Sequence, residues 1–316
     1  MSDSGRNGSI VVRELVAGDA PGFLAAVQAG RDHGEFRASS DAEGTFIGKA
    51  FGLDPSLFGG AFAGDNLIGL VSPEIKFTLV APPFRRRGIG RRLVDLAAGM
   101  ERRRGRPDVL MGCLPGADDV RAFLEATGFA FHSILWDLAL PEDVVVAAPA
   151  WPESLQARSF DINCDVEAWV ALFNAAFADH ATPLQLDPSF MTADLADPNV
   201  DDADTLVLQD RASGEFVGFC ATAPNRADGT IGPTGTIWTI GVRPDRQGRG
   251  LGRQLLRWGV ARLRSIGVRE IDLSVNGRNE WALHLYEDEG FVRTQTRERW
   301  ARPVGAAPDG RPGAPA

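Results

Sequence analysis

The feature that most limits how this chain can fold is an internal repeat. Residues 80–129 align without a gap on residues 242–291, at an offset of 162 residues. Many identical positions are glycines and prolines, such as Gly88 with Gly250 and Pro82 with Pro244. Backbone geometry restricts which residues such positions accept, so chance matches would not concentrate there. The repeat therefore predicts two domains of the same fold.

Hydrophobic periodicity predicts that each copy is an α/β domain, in which a mixed sheet carries helices on both faces. In the second copy we expect strands near residues 155–160, 205–209, 216–222, 236–242, 270–275 and 291–300, and helices near residues 165–177, 249–266 and 279–289. The proline-containing stretch 141–156 marks the boundary between the copies. The predicted division is a first domain 1–148, a second domain 149–304 and a disordered tail 305–316.

Charge and hydropathy exclude several function classes. The net charge of −9 opposes binding to nucleic acid, and no aromatic residues interleave with the arginine clusters. A polar start and the lack of a long apolar run predict a cytoplasmic protein without a membrane partner.

The cysteines form no Cys-x-x-Cys pair, so we expect neither disulfides nor a metal site. Cys113, Cys164 and Cys220 are interpreted as buried small hydrophobic residues. The tryptophans are interpreted mainly as core residues: Trp169, Trp238, Trp281 and Trp300.

The segment 242–253 carries the strongest chemical signal. Pro244 ends a strand, and the glycines at 248, 250 and 252 let the backbone curl with no side chains between its N–H groups and a ligand. The N–H groups at the start of the following helix would attract an anion such as a pyrophosphate. From these residues alone, a tight strand-to-helix turn without a ligand is an equally good interpretation.

The pattern Val-x-Pro-x-x-Gln-x-x-Gly-x-Gly from Val242, followed by Asn279-x-x-Ala-x-x-x-Tyr286-x-x-x-Gly-Phe, resembles the signature of the GNAT acetyltransferase superfamily. The resemblance implies a tandem acyltransferase that moves an acetyl group from acetyl-CoA to a primary amine, without a metal. It also implies that the Val242 N–H polarises the thioester carbonyl. The residues then expected to bind acetyl-CoA are Ile240, Gly241, Val242, Gln247, Gly248, Arg249, Gly250, Leu251, Gly252, Arg253, Asn279 and Tyr286.

Tyr286 is the only tyrosine of the chain, and the resemblance makes it the general acid for the departing CoA thiolate. It follows Asn279 by seven residues, which places both on nearly the same face of a helix. A phenol with a pKa of about 10 stays protonated at neutral pH. A packed aromatic residue is the alternative interpretation of this position.

The first copy lacks this chemistry, because Leu124 and Ala117 stand where the second copy has Tyr286 and Asn279. We therefore expect the first domain to be catalytically degenerate. It keeps the glycine turn, which leaves open whether it binds a CoA-like anion through the following residues: Val80, Arg85, Arg86, Arg87, Gly88, Ile89, Gly90 and Arg91.

The acceptor side is less completely determined by the sequence. Asp179 and His180 follow the first helix of the second copy, where the family has acceptor-binding residues, and Trp238 lies on the strand that leads to Val242. We predict that these three bind substrate, with His180 as a general base or a polar loop residue. The expected acceptor is a small-molecule or peptide amine, and the protein a monomer or homodimer. A non-catalytic acyl-CoA sensor and a transferase for a longer acyl-CoA remain alternatives.

Overall fold

The computed structural model describes residues 9–32, 47–48, 50–52, 54–178, 186, 188, 201–227 and 230–305. The chain forms two compact units, one from residues up to Ser133 together with Arg297 onward, the other from Ile134–Thr296. Two strands, Ala130–Leu140 (β6) and Val292–Pro303 (β12), each begin in one unit and end in the other. The predicted domain boundary at residues 148/149 differs from this division, because it assigns all of β6 to the first domain and all of β12 to the second.

The first unit contains a four-stranded antiparallel sheet and a separate strand pair. Besides its parts of β6 and β12, its elements are β1 (Ile10–Glu14), α1 (Ala20–Asp32), β2 (Gly59–Ala63), β3 (Asn66–Ser72), β4 (Phe77–Val80), α2 (Ile89–Arg103), β5 (Asp108–Cys113) and α3 (Asp118–Ala126). The sheet order is β1-β2-β3-β4, and β5 pairs antiparallel with residues 298–303 of β12.

The second unit contains β7 (Leu155–Ser159), α4 (Val166–Ala176), β8 (Thr205–Asp210), β9 (Phe216–Ala227), β10 (Thr230–Val242), α5 (Leu251–Ser265), β11 (Glu270–Asn276) and α6 (Glu280–Asp288), together with the parts of β6 and β12 that belong to it. Its strands form one mixed sheet with the order β12-β6-β11-β10-β9-β8-β7. The predicted α/β class is confirmed. Most element ends lie within two residues of the predicted ones, but β9 and β10 are longer because they extend as a pair beyond the buried part of the sheet.

Helices cover both faces of this sheet because its central strand is apolar on both sides. On β9, Phe219 packs into a cluster with Trp169 and Phe173 of α4, whereas the next residue, Cys220, packs into the core formed with α5 and α6. Successive side chains of a strand point to opposite faces, so one strand serves two cores.

The structure corrects two expectations about burial. Cys113 and Cys220 are buried, but Cys164 is exposed in the turn before α4. Trp169 and Trp300 are buried, whereas the side chains of Trp238 and Trp281 are 48% and 62% exposed. Both exposed rings lie at the cavity described below, which explains why neither belongs to a core.

Within the described ranges, no helix is long and apolar enough to cross a membrane. The same ranges hold no group of three or more His, Cys, Asp or Glu side chains that could bind a metal ion.

Helices α5 and α6 are joined by a buried carboxylate. The Glu289 side chain, 5% exposed, accepts hydrogen bonds from Arg253 at 2.6 Å and from Arg257 at 2.8 Å. Burial alone would raise its pKa, but the hydrogen bonds from Arg257 and Arg253 outweigh burial and hold the pKa below its usual value. The ion pairs therefore keep the start of α5 and the end of α6 at a constant separation.

We predict that Glu289→Gln lowers the free energy of unfolding by about 2 kcal/mol at pH 7, because two guanidinium groups lose their shared partner. A depressed folded-state pKa stabilises the protein above the unfolded pKa of the carboxyl and is lost as pH falls through the folded value. The difference from the wild type should therefore shrink towards pH 4 in urea unfolding experiments. Glu287→Gln, which removes a more exposed ion pair with Arg293, is the control and should change stability by less than about 0.5 kcal/mol. An equal loss in both variants would contradict this role of Glu289.

Candidate active site

The candidate site begins where two parallel strands separate. Strands β10 and β11 pair only at Thr234–Thr236 with Glu270–Asp272. Beyond that point their following residues, 237–242 and 273–276, line opposite sides of one cavity. The separation opens the sheet without breaking the pairing of β10 with β9 on its other edge.

The backbone of β10 presents hydrogen-bonding groups to this opening. The Arg243 N–H donates to the carbonyl of Val217 on β9 at 2.9 Å. Because N–H groups of successive strand residues alternate between the two edges, the N–H groups of Val242 and Ile240 point the other way, towards the opening. In the described part of the chain, the pairing of β10 with β11 ends before either residue. Two donors are therefore available to a ligand that lies along the strand.

The cavity has a volume of about 780 Å³ and lies entirely in the second unit. Its walls combine strand backbone, the turn after β10, the end of α4 and the apolar side of α6. Most of the predicted acetyl-CoA residues line it, namely Ile240, Gly241, Val242, Gln247, Gly248, Gly250, Leu251, Gly252, Asn279 and Tyr286. Arg249 and Arg253 are not among the lining residues.

The turn after β10 has the backbone that the glycine pattern predicts. Gly248 and Gly250 have φ values of 73° and 78°, in the left-handed region that disfavours other residues. A Cβ atom at either position would meet no atom within 4 Å, so the space beside the turn is open. Helix α5 starts at Gly250 without a side-chain cap, which leaves its first N–H groups available to an anion. These features fit a diphosphate.

Side chains around the turn have structural partners. The Gln247 Nε2 donates to the Val242 carbonyl at 3.1 Å, and Arg249 donates to the Asp245 carbonyl at 3.2 Å. Arg253 is held by Glu289 and Asp288, and Leu251 is buried in the core. The contribution of this segment to anion binding is therefore mainly that of its backbone.

Tyr286 lines the cavity from helix α6 and is partly buried. Its ring contacts the core, with a centroid 6.2 Å from that of Phe291. Burial raises the pKa of the phenol well above its ordinary value. The hydroxyl is therefore a proton donor across the physiological pH range and a poor base.

Asn279 is the N-cap of α6, and its Oδ1 accepts a hydrogen bond from the Ala282 N–H at 3.1 Å. Since the oxygen is used by the cap, the amide nitrogen is the group that can donate to a ligand in the cavity. Trp281, in the first turn of the same helix, covers Gly252, where a Cβ atom would lie 3.2 Å from its ring. The third glycine of the motif thus permits close packing of two helices.

The turn in the first unit has nearly the same backbone φ angles as the turn in the second. Arg86 and Gly88 have φ values of 61° and 75°, at the positions of Gly248 and Gly250. The Arg85 Nε donates to the Val80 carbonyl at 2.9 Å, just as Gln247 does to Val242. An arginine in the left-handed region costs roughly 1 kcal/mol relative to glycine, so the conformation persists without the residue that best accommodates it.

Other first-copy candidates are involved in local packing. Arg87 lies over the Phe84 ring at 5.5 Å, and Arg91 donates to the Ala126 carbonyl at 2.8 Å. Ile89 is buried, and the ring of Phe123 covers Gly90, where a Cβ atom would lie 3.0 Å away. The turn therefore keeps its backbone conformation, and the side chains around it contact other residues of the first unit.

Of the predicted acceptor residues, Trp238 lies at the cavity, at a register shift in the pairing of β10 with β9. This shift is a β-bulge, which commonly redirects a side chain next to a functional site. Asp179 and His180 lie outside the residues that the structure describes.

Sequence reasoning missed a hydroxyl–carboxylate pair at the cavity. Ser274 lines the cavity, and its Oγ donates to a carboxylate oxygen of Asp137 at 2.5 Å. Asp137 belongs to β6, which follows the first copy in sequence but pairs with β11 in the second unit. Only the exchange of terminal strands brings the two together, and no local sequence pattern reports that exchange.

Comparison with known proteins agrees with this geometry. The family described as "Acetyltransferase (GNAT) family" matches this chain over residues 166–291, which include the cavity-lining strands, turn and helix. The tandem arrangement, with the more complete motif second, resembles mycothiol synthase. A protein named mycothiol acetyltransferase from Thermobispora bispora is 36% identical over 241 residues, which cover 73% of this chain and 79% of that protein.

Solved structures share the fold over nearly the whole chain. A GCN5-related N-acetyltransferase from Sphaerobacter thermophilus has a TM-score of 0.65 at 22% identity, with coverage of 96% of this chain and 97% of that one. A tandem GNAT protein from the clavulanic acid biosynthesis pathway has a TM-score of 0.64 at 16% identity, with coverage of 95% and 100%. Together with the matched motif and the more similar relative, they show that the chain belongs to the GNAT acetyltransferase family, with a tandem fold.

Proposed function

We propose that this chain transfers an acetyl group from acetyl-CoA to a primary amine, by direct attack within the cavity of the second unit. The observation that supports this most strongly is the combination of three features in one cavity. Strand N–H groups that face the opening, a glycine turn suited to an anion and a phenol that stays protonated line the same space of about 780 Å³. Each addresses a different part of a CoA thioester.

The roles follow from the chemistry of each group. The backbone of residues 247–253 would hold the diphosphate, and Ile240 and Val242 would pair with the pantetheine arm. A strand N–H, in our assignment that of Val242, stabilises the negative charge that develops on the thioester oxygen. Tyr286 protonates the departing thiolate. Because its pKa is raised, the phenol stays protonated, and so able to donate, up to high pH.

The first unit is, in this proposal, a degenerate domain that does not catalyse. Leu124 replaces the phenol and Ala117 replaces the capping amide. Its turn keeps the backbone conformation of an anion site, so binding of a CoA-like anion there is a separate matter from turnover.

The acceptor is the least determined partner. The name of the relatives links their acetyl transfer to mycothiol, so the desacetyl form of mycothiol is the first amine to test. Glucosamine, an aminoglycoside and a peptide N-terminus complete the panel. Acetyl-, propionyl- and succinyl-CoA distinguish an acetyltransferase from an enzyme for longer acyl groups. We place the reaction in the cytoplasm.

We predict that Tyr286→Phe lowers kcat about 100-fold with the best amine, while the Kd for acetyl-CoA stays within about twofold. The variant keeps the ring contact with Phe291 and loses only the hydroxyl. CoA release, followed through its thiol, measures the rate from pH 6 to 10. Because burial raises the phenol pKa, the wild type should show no loss of kcat from Tyr286 below about pH 10.

Two outcomes would count against this assignment. A Tyr286→Phe variant as fast as the wild type at every pH would remove the acid role and leave acetyl transfer in place. Tight binding of acetyl-CoA with no turnover of any amine would instead favour a sensor.

We also predict that Gly250→Ala weakens acetyl-CoA binding at least tenfold, because a Cβ is strained at φ 78° and the turn must distort. Gly88→Ala introduces the same strain at φ 75° in the first unit and should leave turnover unchanged. Titration calorimetry gives affinity and the number of sites for both variants. If Gly88→Ala lost turnover while Gly250→Ala kept normal kinetics, the reaction would take place in the first unit, which contradicts the proposal.

A further inference from the structure

The reaction needs a group that accepts a proton from the attacking amine, and the Ser274–Asp137 pair lies in the wall of the proposed reaction cavity. Ser274 lines the cavity, and Asp137 is only 5% exposed behind it. The two residues are direct register partners on β11 and β6, and their hydrogen bond measures 2.5 Å. An ionised carboxylate is costly to bury, so its hydrogen-bonded partner on the cavity side is an essential part of the arrangement.

Strand alternation places this pair on the sheet face opposite α5 and α6. On β11, the neighbours Leu273 and Val275 are buried in the core beneath those helices, so Ser274 points to the other face. On β6, Leu138 and Leu140 belong to the same core. A thioester held on one side of the opening and an amine arriving from the other would meet in the gap between the strands.

The position along the strand also fits. Ser274 lies two residues beyond Asp272, the last residue of β11 that pairs with β10, and therefore close to the point of separation. The anion turn lies at the far end of the opening, after Val242. That residue is six positions from the last paired residue of β10, or about 20 Å of extended strand. A donor anchored at the turn and extended along β10 directs its acyl end towards the point of separation.

We propose that Ser274 and Asp137 form the proton relay for the attacking amine, an inference that rests on the proposed acetyl transfer. The amine nitrogen forms a C–N bond with the thioester carbon. Its proton passes to Ser274 Oγ while the proton of that hydroxyl passes to the Asp137 carboxylate. The C–S bond breaks, its electron pair leaves with sulfur, and Tyr286 supplies the proton that completes the thiol. Water then takes the proton from Asp137 and returns one to Tyr286, while Ser274 has gained and lost one proton.

Within the second unit, the charged groups on the strands beside Asp137 are Glu270 and Asp272 on β11 and Arg293 on β12. The Arg293 guanidinium lies over the Trp136 ring at 4.5 Å. Asp272 offers a matched control, because it accepts a hydrogen bond from Thr236 Oγ1 at 2.6 Å. This second hydroxyl–carboxylate pair has the same chemistry as the relay, but neither of its residues lines the cavity.

The test compares Ser274→Ala, Asp137→Asn, Ser274→Thr and Asp272→Asn with the wild type, with desacetyl mycothiol as the probe amine. We expect Ser274→Ala and Asp137→Asn to lower kcat about 100-fold at pH 7 with the Kd for acetyl-CoA unchanged. The deficit should shrink towards pH 10, where hydroxide in the solvent removes the amine proton. Ser274→Thr keeps a hydroxyl and should recover at least a third of the wild-type rate. Asp272→Asn should stay within twofold of it.

The outcomes separate the two proposals. If the wild type turns over the amine and kcat of Ser274→Ala lies within twofold of the wild-type value at every pH, the relay is overturned and the proposed acetyl transfer is unaffected. A deficit that is the same at all pH values, or that Ser274→Thr does not relieve, also overturns it. No wild-type turnover of this amine or of the panel overturns acetyl transfer, and the relay with it. Since Ser274 is exposed, its variants remain informative even if Asp137→Asn fails to fold.

Discussion

The separation of β10 from β11 is the constraint on which the candidate site depends. A sheet that stayed paired would use every N–H of β10 within the protein, and no ligand could join the strand. Ending the pairing at Thr236 and Asp272 forgoes several backbone hydrogen bonds, each worth about 1 kcal/mol. In return, the N–H groups of Ile240 and Val242 face an opening wide enough for an extended ligand. The β9 pairing, the α5–α6 ion pairs at Glu289 and the αL glycines keep the rest of the unit in place around that opening.

Both copies have the backbone turn proposed to bind an anion, but only the second has the side chains proposed to take part in acetyl transfer. Both units keep the left-handed turn and a side-chain hydrogen bond to the last strand carbonyl. Both also have a 3₁₀ segment before the turn, at Pro82–Phe84 and at Pro244–Arg246. The first unit keeps this geometry even with Arg86 at a position suited to glycine. Its Leu124 cannot donate a proton, so conservation of the turn within one chain does not imply a second catalytic centre. In the proposed mechanism, the copies differ mainly in two positions of one short helix, which are Asn279 and Tyr286 in the second copy and Ala117 and Leu124 in the first.

Local patterns in the sequence account for much of this structure. The turn at residues 247–252, the helix that begins near Asn279 and the strand ending at Val242 were all predictable, because each depends on residues close together in the chain. Features that depend on distant residues were not predictable. The Ser274–Asp137 pair requires β6 to leave the first copy and join the second sheet. The position of the Trp281 ring depends on Gly252 of another helix, against which it packs. The separation of β10 and β11 is likewise set by the whole sheet and not by their own residues.

The central claim is that the freed backbone of β10 in the second unit binds the acyl donor. Amide hydrogen exchange with and without acetyl-CoA tests it residue by residue. The account predicts slower exchange at Ile240, Val242 and the first turn of α5 when acetyl-CoA binds, with the largest protection on β10. Unchanged exchange at Ile240 and Val242, with protection instead at Val80 and the start of α2, would contradict it.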